Sequence, residues 1–214
     1  MGATQVDLRA FRDAGEHANA IEVYMSRSPQ LVALSMGILT PQQSFLMVDF
    51  SASKFEVTAF VNGKPIASQT LRLGTQKLEK LIANHLKRAH GLEASTDEVR
   101  QILNSHVSKE ATITLQYKSI ELAPIKQITD NYLSLAEDSL LSCIESLGPG
   151  KVHRIKEQGI YFTGGGSLFL GLCEELANRI DFPAQFSQNP QSDVIEGLKL
   201  VSGDPDRFRD YLMA

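Results

Sequence analysis

The spacing of hydrophobic and polar positions changes several times along the chain. Over the first 40 residues it predicts a helix at 4–18, a strand at 21–25 and a second helix at 29–37. Pro29 stands in the first turn of that second helix and Gly37 at its end, which are the positions that these two residue types favour. The chain is therefore predicted to begin in helix–strand–helix order.

Three β-rich runs follow, at 44–50, 55–61 and 65–73. Asn62-Gly63 separates the last two runs. This dipeptide is typical of tight hairpins because both residues tolerate a positive φ. The pattern predicts an antiparallel meander.

Helical spacing returns at residue 75 and continues to Gly91, a favoured residue at a helix end. An apolar stripe along this segment predicts that one side of the helix covers a face of the sheet. The stripe consists of Leu78, Leu81, Ile82, His85, Leu86 and Ala89.

The middle of the chain combines further helices with one strand. Ser95 and Glu98 have the spacing of a capping box, which predicts the start of a short helix. Residues 111–117 are strand-like. Residues 124–147 have the spacing of a long helix, which Gly-Pro-Gly at 148–150 ends.

A β-rich run at 159–163 leads into three consecutive glycines and a predicted helix at 167–180. A short strand at 183–187 and a helix at 192–203 complete the pattern. No internal repeat is visible. The order of elements predicts an α/β fold, in which a mixed sheet with an antiparallel meander is covered by helices.

Composition narrows the classes of function. With 214 residues, 43% of them hydrophobic, the chain is long enough for one good core or two small ones. A net charge of −4 gives no general attraction to nucleic acid or to an anionic membrane. The first residues lack the pattern of a secretion signal, and no window approaches about 18 uninterrupted apolar residues. We predict a cytoplasmic protein with no nucleic-acid partner, no direct membrane contact, and buried free thiols at Cys143 and Cys173.

Several stretches of the sequence carry a family resemblance. They are residues 2–14, 21–38, 48–66 with 71–82, and 159–172 running on to 189–201. In order and spacing these stretches resemble the MreB-like bacterial actins, which belong to the superfamily of actins, sugar kinases and chaperone ATPases.

The resemblance implies an actin-like (ribonuclease H-like) lobe over 41–190, with a small inserted subdomain near 92–122. Residues 1–40 are then the remnant of a first lobe, and C-terminal helices over 191–214 return to it. The family also has an earlier segment, D-x-G-T-x-N/T, whose main-chain amides hold nucleotide phosphates. That segment has no counterpart here, so the resemblance implies an N-terminally truncated chain.

The family's second phosphate loop, D-x-G-G-G-T-T-E, is degenerate in this sequence. Its counterpart reads Asp49-Phe50-Ser51-Ala52-Ser53-Lys54-Phe55-Glu56. Glycines let main-chain N–H groups converge on a phosphate, and none remains. Asp49, which in the family approaches the metal, is either a weak cofactor contact or a structural remnant, because a lone carboxylate binds Mg²⁺ poorly. Lys54 is either a phosphate contact or a solvated lysine. No metal site is predicted.

The family's contacts to the nucleoside are partly kept. Gly74 matches a G-G-D helix start in which Gln76 replaces the acid, and Arg100 stands where a lysine flanks the base. The base-side turn, Gly164, Gly165 and Gly166, is whole. These glycines either serve a sharp strand-to-helix turn without any ligand, or retain weak ATP binding. No cofactor is firmly predicted.

Three functions remain open at this point. The family orients its attacking water with a glutamate in E-E-P, and Arg27-Ser28-Pro29 replaces that motif, so no catalytic residue is predicted. The first function is a non-catalytic MreB-like module that binds a full-length MreB-type filament, a morphogenetic partner or itself. The second is an ATP-binding cell-shape protein. The third is a decayed, truncated gene product, which the intact caps and apolar stripes disfavour.

Overall fold

The computed structural model describes residues 4–105 and 111–212. The chain divides into two compact units. The smaller unit combines Met1–Leu39 with Asp193–Ala214, and the larger unit is Thr40–Ser192.

The elements are numbered in chain order. The helices are α1 (Gln5–His17), α2 (Ser28–Ser35), α3 (Thr75–His90), α4 (Thr96–Asn104), α5 (Ala123–Glu145), α6 (Pro149–Gln158), α7 (Leu170–Arg179) and α8 (Asp193–Gly203). The strands are β1 (Phe45–Phe50), β2 (Phe55–Val61), β3 (Lys64–Leu71), β4 (Thr112–Leu115), β5 (Lys118–Glu121), β6 (Ile160–Thr163) and β7 (Ala184–Phe186). Short 3₁₀ turns lie at Gly165–Leu168 and Arg209–Tyr211.

The larger unit is built on a mixed five-stranded sheet in the order β3-β2-β1-β6-β7. The first three strands are antiparallel neighbours, whereas β6 is parallel to β1 and β7 is parallel to β6. Asn62 and Gly63 both have positive φ, at 51° and 72°, in the β2–β3 turn. The predicted α/β class, the meander and its hairpin turn are confirmed.

The core of the larger unit lies between the sheet and its helices. Leu78, Ile82 and Leu86 of α3 are fully buried and belong to one cluster with several apolar residues of β1 and β2. The predicted stripe on α3 was too wide, because Leu81 and Ala89 are exposed. Leu81 lies about 100° around the helix from Ile82, beyond the sector that the core covers.

Two predicted boundaries were wrong in the middle of the larger unit. Residues 111–117 are not one strand, since Gln116 and Tyr117 form a turn with positive φ of 47° and 65° that leads into β5. Neither residue is a usual signal for such a turn, which favours Asn and Gly. Gly148 follows the end of α5, but Pro149 also begins α6, a helix that the prediction omitted. Proline suits a first helical position because its missing N–H is not needed there.

Two further elements differ from their predictions. Residues 21–25 do not form a strand; in this stretch only Met25 makes an isolated bridge. The predicted helix at 167–180 is split into the 3₁₀ turn at Gly165–Leu168 and α7. A three-glycine start lowers helix propensity, which accounts for the tighter first turn.

The smaller unit depends on close packing of α2 against α8. Gly197 of α8 lies directly on α2, and a Cβ built on it would be 2.0 Å from the carbonyl oxygen of Leu31. By contrast α1 buries none of its residues completely, and a capping box between Thr4 and Asp7 stabilises its start. The contact at Gly197 therefore sets the spacing of the two helices.

Two glycines of α8 offer a matched pair of substitutions. Gly197→Ala should destabilise the protein by about 1–3 kcal/mol, because the methyl group forces α2 and α8 apart. Gly203→Ala, in open space on the same helix, should be neutral or stabilise by up to about 1 kcal/mol. Urea denaturation followed by circular dichroism measures both. Equal effects of the two substitutions would contradict the assigned packing.

Candidate functional site

The parallel pairing of β1 and β6 brings two predicted site segments together. Asp49 lies directly beside Thr163 in the strand register, so the carboxyl ends of both strands meet where the glycine turn begins. Gly164 has a φ of +79°, and a Cβ on it would lie 2.5 Å from Asp49 Oδ1 and 2.7 Å from the carbonyl oxygen of Phe50. The protein's own backbone and Asp49 therefore require glycine at this position.

Gly166 is also enclosed by the protein itself. A Cβ on Gly166 would lie 2.6 Å from Cγ of the Phe50 ring and 2.7 Å from Cγ2 of Thr75. Both contacts are too short for real atoms, and one of them is with a fully buried ring. This glycine allows the turn to pack against β1 and the start of α3.

Gly165 differs from its two neighbours. Its φ is not positive, and the nearest atoms to a built Cβ are Nε2 and Cγ of Gln191, at 3.6 and 4.0 Å, which are ordinary contact distances. Gly165 and Gly166 are the first two residues of the 3₁₀ turn. The turn itself therefore contains no carbonyl group that could accept a hydrogen bond from their N–H groups. The packing of the chain therefore does not account for glycine at position 165.

Gly74 faces the degenerate loop rather than an open site. A Cβ on Gly74 would lie 2.3 Å from the carbonyl carbon and oxygen of Ala52 and 2.4 Å from the Ser53 nitrogen. The first amides of α3, from Thr75 and Gln76, donate hydrogen bonds of 3.1 Å to the carbonyl oxygens of Ser51 and Ala52. The loop thus caps the start of α3, and close approach of its backbone requires Gly74.

The charged residues of the loop bind one another. The ammonium of Lys54 contacts Glu56 and lies 3.4 Å from Asp49 Oδ2. Burial raises the pKa of the Asp49 carboxyl above its ordinary value, and the nearby Lys54 offsets only part of that effect. Burial alone lowers the pKa of Lys54, but its contacts with Glu56 and Asp49 reverse this and raise the pKa overall.

A groove of about 480 Å³ lies between α3 and α4. Arg100 is on its wall, where Nε donates a 3.0 Å hydrogen bond to Glu79 Oε1. The lining residues are Ala52, Thr75, Gln76, Glu79, Lys80, Ala83, Ala94, Thr96, Val99 and Arg100. Asp49 and the glycine turn are not among them, although Thr75 touches both places. The predicted site residues therefore form two adjoining groups rather than one pocket.

Other chemistry has little support in the described residues. Over 4–105 and 111–212, no group of three or more His, Cys, Asp or Glu side chains could hold a metal ion. None of the helices in those ranges is long and apolar enough to cross a membrane. Cys143 and Cys173 are free and buried, as predicted, and burial raises the pKa of Cys143 to about 11. Both thiols therefore stay protonated at neutral pH.

The family model described as MreB/Mbl protein matches residues 1–209. The chain belongs to the MreB/Mbl family. The cell shape-determining protein MreB of Escherichia coli K12 is 23% identical over 92% of this chain. The alignment covers 61% of that relative, so the chain spans about three fifths of the length of this curated MreB.

Several solved structures share the fold of this chain. MreB5 of Spiroplasma citri bound to ADP superposes with a TM-score of 0.82 at 17% identity, covering 98% of this chain and 68% of that one. The MamK double helical filament gives a TM-score of 0.69 at 18% identity, covering 94% of this chain and 66% of that one. The predicted MreB-like, actin-like fold is confirmed.

Sequence reasoning missed how the degenerate loop is used. It treated Lys54 as solvated or phosphate-binding, whereas the side chain is paired with two carboxylates. The spacing of Asp49, Lys54 and Glu56 around a short hairpin was a usable signal, because it places alternate charges at one strand end. Glu79 as the partner of Arg100 had no such signal, since the two residues are 21 positions apart.

Gly165 and Gly166 provide a test of which glycines the fold needs. Gly166→Ala should cost about 1–3 kcal/mol of stability, because its methyl group overlaps the Phe50 ring and Thr75. Gly165→Ala should change stability by less than about 0.5 kcal/mol. Chemical denaturation measures both variants. Similar losses at the two positions would show that the turn packs differently.

Asp49→Asn should alter the pH dependence of stability. Because the native pKa of Asp49 is raised, the native state holds its proton more tightly than the unfolded state. The wild type should therefore lose stability relative to Asp49→Asn as pH rises from about the ordinary value of 3.8 to the raised native value. Above that range the difference should stay constant. Urea melts of both proteins from pH 3.5 to 7 measure it, and a wild type that gains stability relative to Asp49→Asn as pH rises would contradict the assignment.

Proposed function

We propose that this chain is a non-catalytic, cytoplasmic MreB-like module of the cell-shape cytoskeleton, which acts by binding an MreB-type filament or a second copy of itself. One observation carries the proposal: the residues at the phosphate-loop position are engaged by the chain itself. Ser51 and Ala52 cap α3, and Lys54 is paired with Asp49 and Glu56. No glycine remains in this loop to bring main-chain N–H groups onto a phosphate.

Loss of hydrolysis follows from the same reasoning. Phosphoryl transfer requires a group that orients the attacking water, together with cations that neutralise the phosphates. Arg27 and Ser28 stand where the family has two acids, and Lys54 already serves the chain's own carboxylates. Binding to another protein is then the function that this fold best supports. MamK, a structural neighbour, has been solved as a double helical filament, and assembly of this kind is what we propose that this chain joins.

Co-sedimentation with filaments of the host's full-length MreB-type protein tests the proposal. We expect the purified chain to pellet with the filaments. Without filaments it should stay in the supernatant at concentrations too low for it to self-associate. The Gly203→Ala variant serves as a control with an unchanged fold and should pellet equally. If the chain stays in the supernatant with filaments and is also monomeric by analytical ultracentrifugation, the proposal is wrong.

Nucleotide binding is the second candidate, and one specific observation favours it. Gly165 is kept although the protein leaves room for a side chain, and the groove with Arg100 lies beside Gly74. MreB5 of Spiroplasma citri, which shares the fold, was solved bound to ADP.

Calorimetric titration with Mg-ATP separates the two candidates. Our preferred function predicts no heat of binding and no thermal stabilisation at millimolar nucleotide. Nucleotide binding predicts a micromolar affinity, which at 100 times the dissociation constant stabilises the fold by about 2.7 kcal/mol. Gly165→Val should abolish that affinity, because its side chain fills the space above the turn, while Gly203→Val should not. Binding that is insensitive to Gly165→Val would place the nucleotide elsewhere.

A further inference from the structure

Two like charges oppose each other at the end of the β1–β2 hairpin. Asp49 and Glu56 are direct partners in the antiparallel register. Their side chains are only 20% and 13% exposed, so water screens them incompletely. Directly opposed like charges destabilise a strand pair. The pair therefore requires either a positive charge between its members or protonation of one of them.

Lys54 supplies this positive charge from within the hairpin. Its Nζ contacts Glu56 and lies 3.4 Å from Asp49 Oδ2, so one ammonium serves both carboxylates. The backbone N–H and the hydroxyl of Ser51 donate to the Lys54 carbonyl at 3.0 and 3.1 Å, which fixes the turn that carries it. Lys54 also precedes Glu56 by two residues, the spacing that puts side chains on one face of an extended chain.

A divalent cation does not fit the residues as they stand. Mg²⁺ requires six oxygen ligands in near-octahedral geometry, usually with several waters. Between Asp49 and Glu56 it would lie against the positive charge of Lys54. The other oxygen of Asp49, Oδ1, faces Gly164 so closely that a Cβ there would lie 2.5 Å away. The described surroundings of the two carboxylates thus favour an ammonium over a metal.

We propose that Lys54 is a built-in counter-cation that occupies the place a divalent cation would need between Asp49 and Glu56, and that removal of its charge turns this pair into a divalent-cation site. One of the two negative charges at the end of the sheet is then balanced permanently, without any bound ligand. This inference and the filament proposal share the pairing of Lys54 with Asp49 and Glu56, but different binding partners test them, so either can fail without the other.

The experiment uses Mn²⁺ alone as the probe, with binding followed by electron paramagnetic resonance and thermal unfolding. The wild type should show no saturable binding at about 1 mM Mn²⁺, a concentration in the range of the dissociation constants of weak cation sites with oxygen ligands. Lys54→Met in EDTA should melt roughly 2–4 °C below the wild type, and Mn²⁺ should restore the difference. Lys64→Met removes the same charge at an exposed position that begins β3. This control should neither melt lower than the wild type in EDTA nor gain stability from Mn²⁺.

A second substitution distinguishes charge from packing. Asp49→Asn combined with Lys54→Met relieves the repulsion, so the double variant should regain the wild-type melting temperature and bind no Mn²⁺. The proposal is overturned if the wild type binds Mn²⁺ in an Asp49-dependent manner, or if folded Lys54→Met binds none. It is equally overturned if Lys54→Met fails to fold and neither Mn²⁺ nor Asp49→Asn rescues it.

Discussion

Much of the larger unit depends on the close passage of one backbone run, Phe50 to Ser53, past three glycines. Gly74, Gly164 and Gly166 each leave no space for a Cβ against this run. Their contacts connect the end of β1 to the end of β6 and to the start of α3. Any side chain at one of these positions has to displace main-chain atoms or a buried ring, which a closely packed interior resists. The geometry of the strand ends therefore follows from a steric constraint that involves no bound ligand.

This steric constraint explains glycines that would otherwise be attributed to nucleotide binding. A glycine turn in a family of nucleotide-binding folds invites a functional interpretation, but two of the three turn glycines are explained by packing alone. The loop opposite contains no glycine and caps the start of α3. Gly165 is the exception, because the surrounding protein leaves room for a side chain at this position. Within the glycine turn, the question of nucleotide binding is thereby reduced to Gly165.

The sequence predicted the sheet better than the connections. The β1–β2–β3 meander was visible in Asn62-Gly63 and in the apolar runs, because tight hairpins and buried strands have strong local signals. The Gln116-Tyr117 turn was not, since its residues are unusual at positive φ and the hairpin is fastened by distant partners. Gln116 donates to the Glu98 carboxylate, and Lys118 donates to the His90 carbonyl oxygen. The sequence singled out Asp49 and the glycines as candidate positions, but their charge pairing and close contacts arise only when the strands align.

The burial of both native thiols has a practical consequence. Cys143 and Cys173 are the only cysteines of the chain, and each is 1% exposed or less with a raised pKa. A thiol-reactive dye therefore finds no ready target on the native protein. One cysteine introduced at an open position such as Gly165 or Gly203 becomes a unique attachment point. A dye at Gly203 would then mark one known position on α8 for single-site fluorescence.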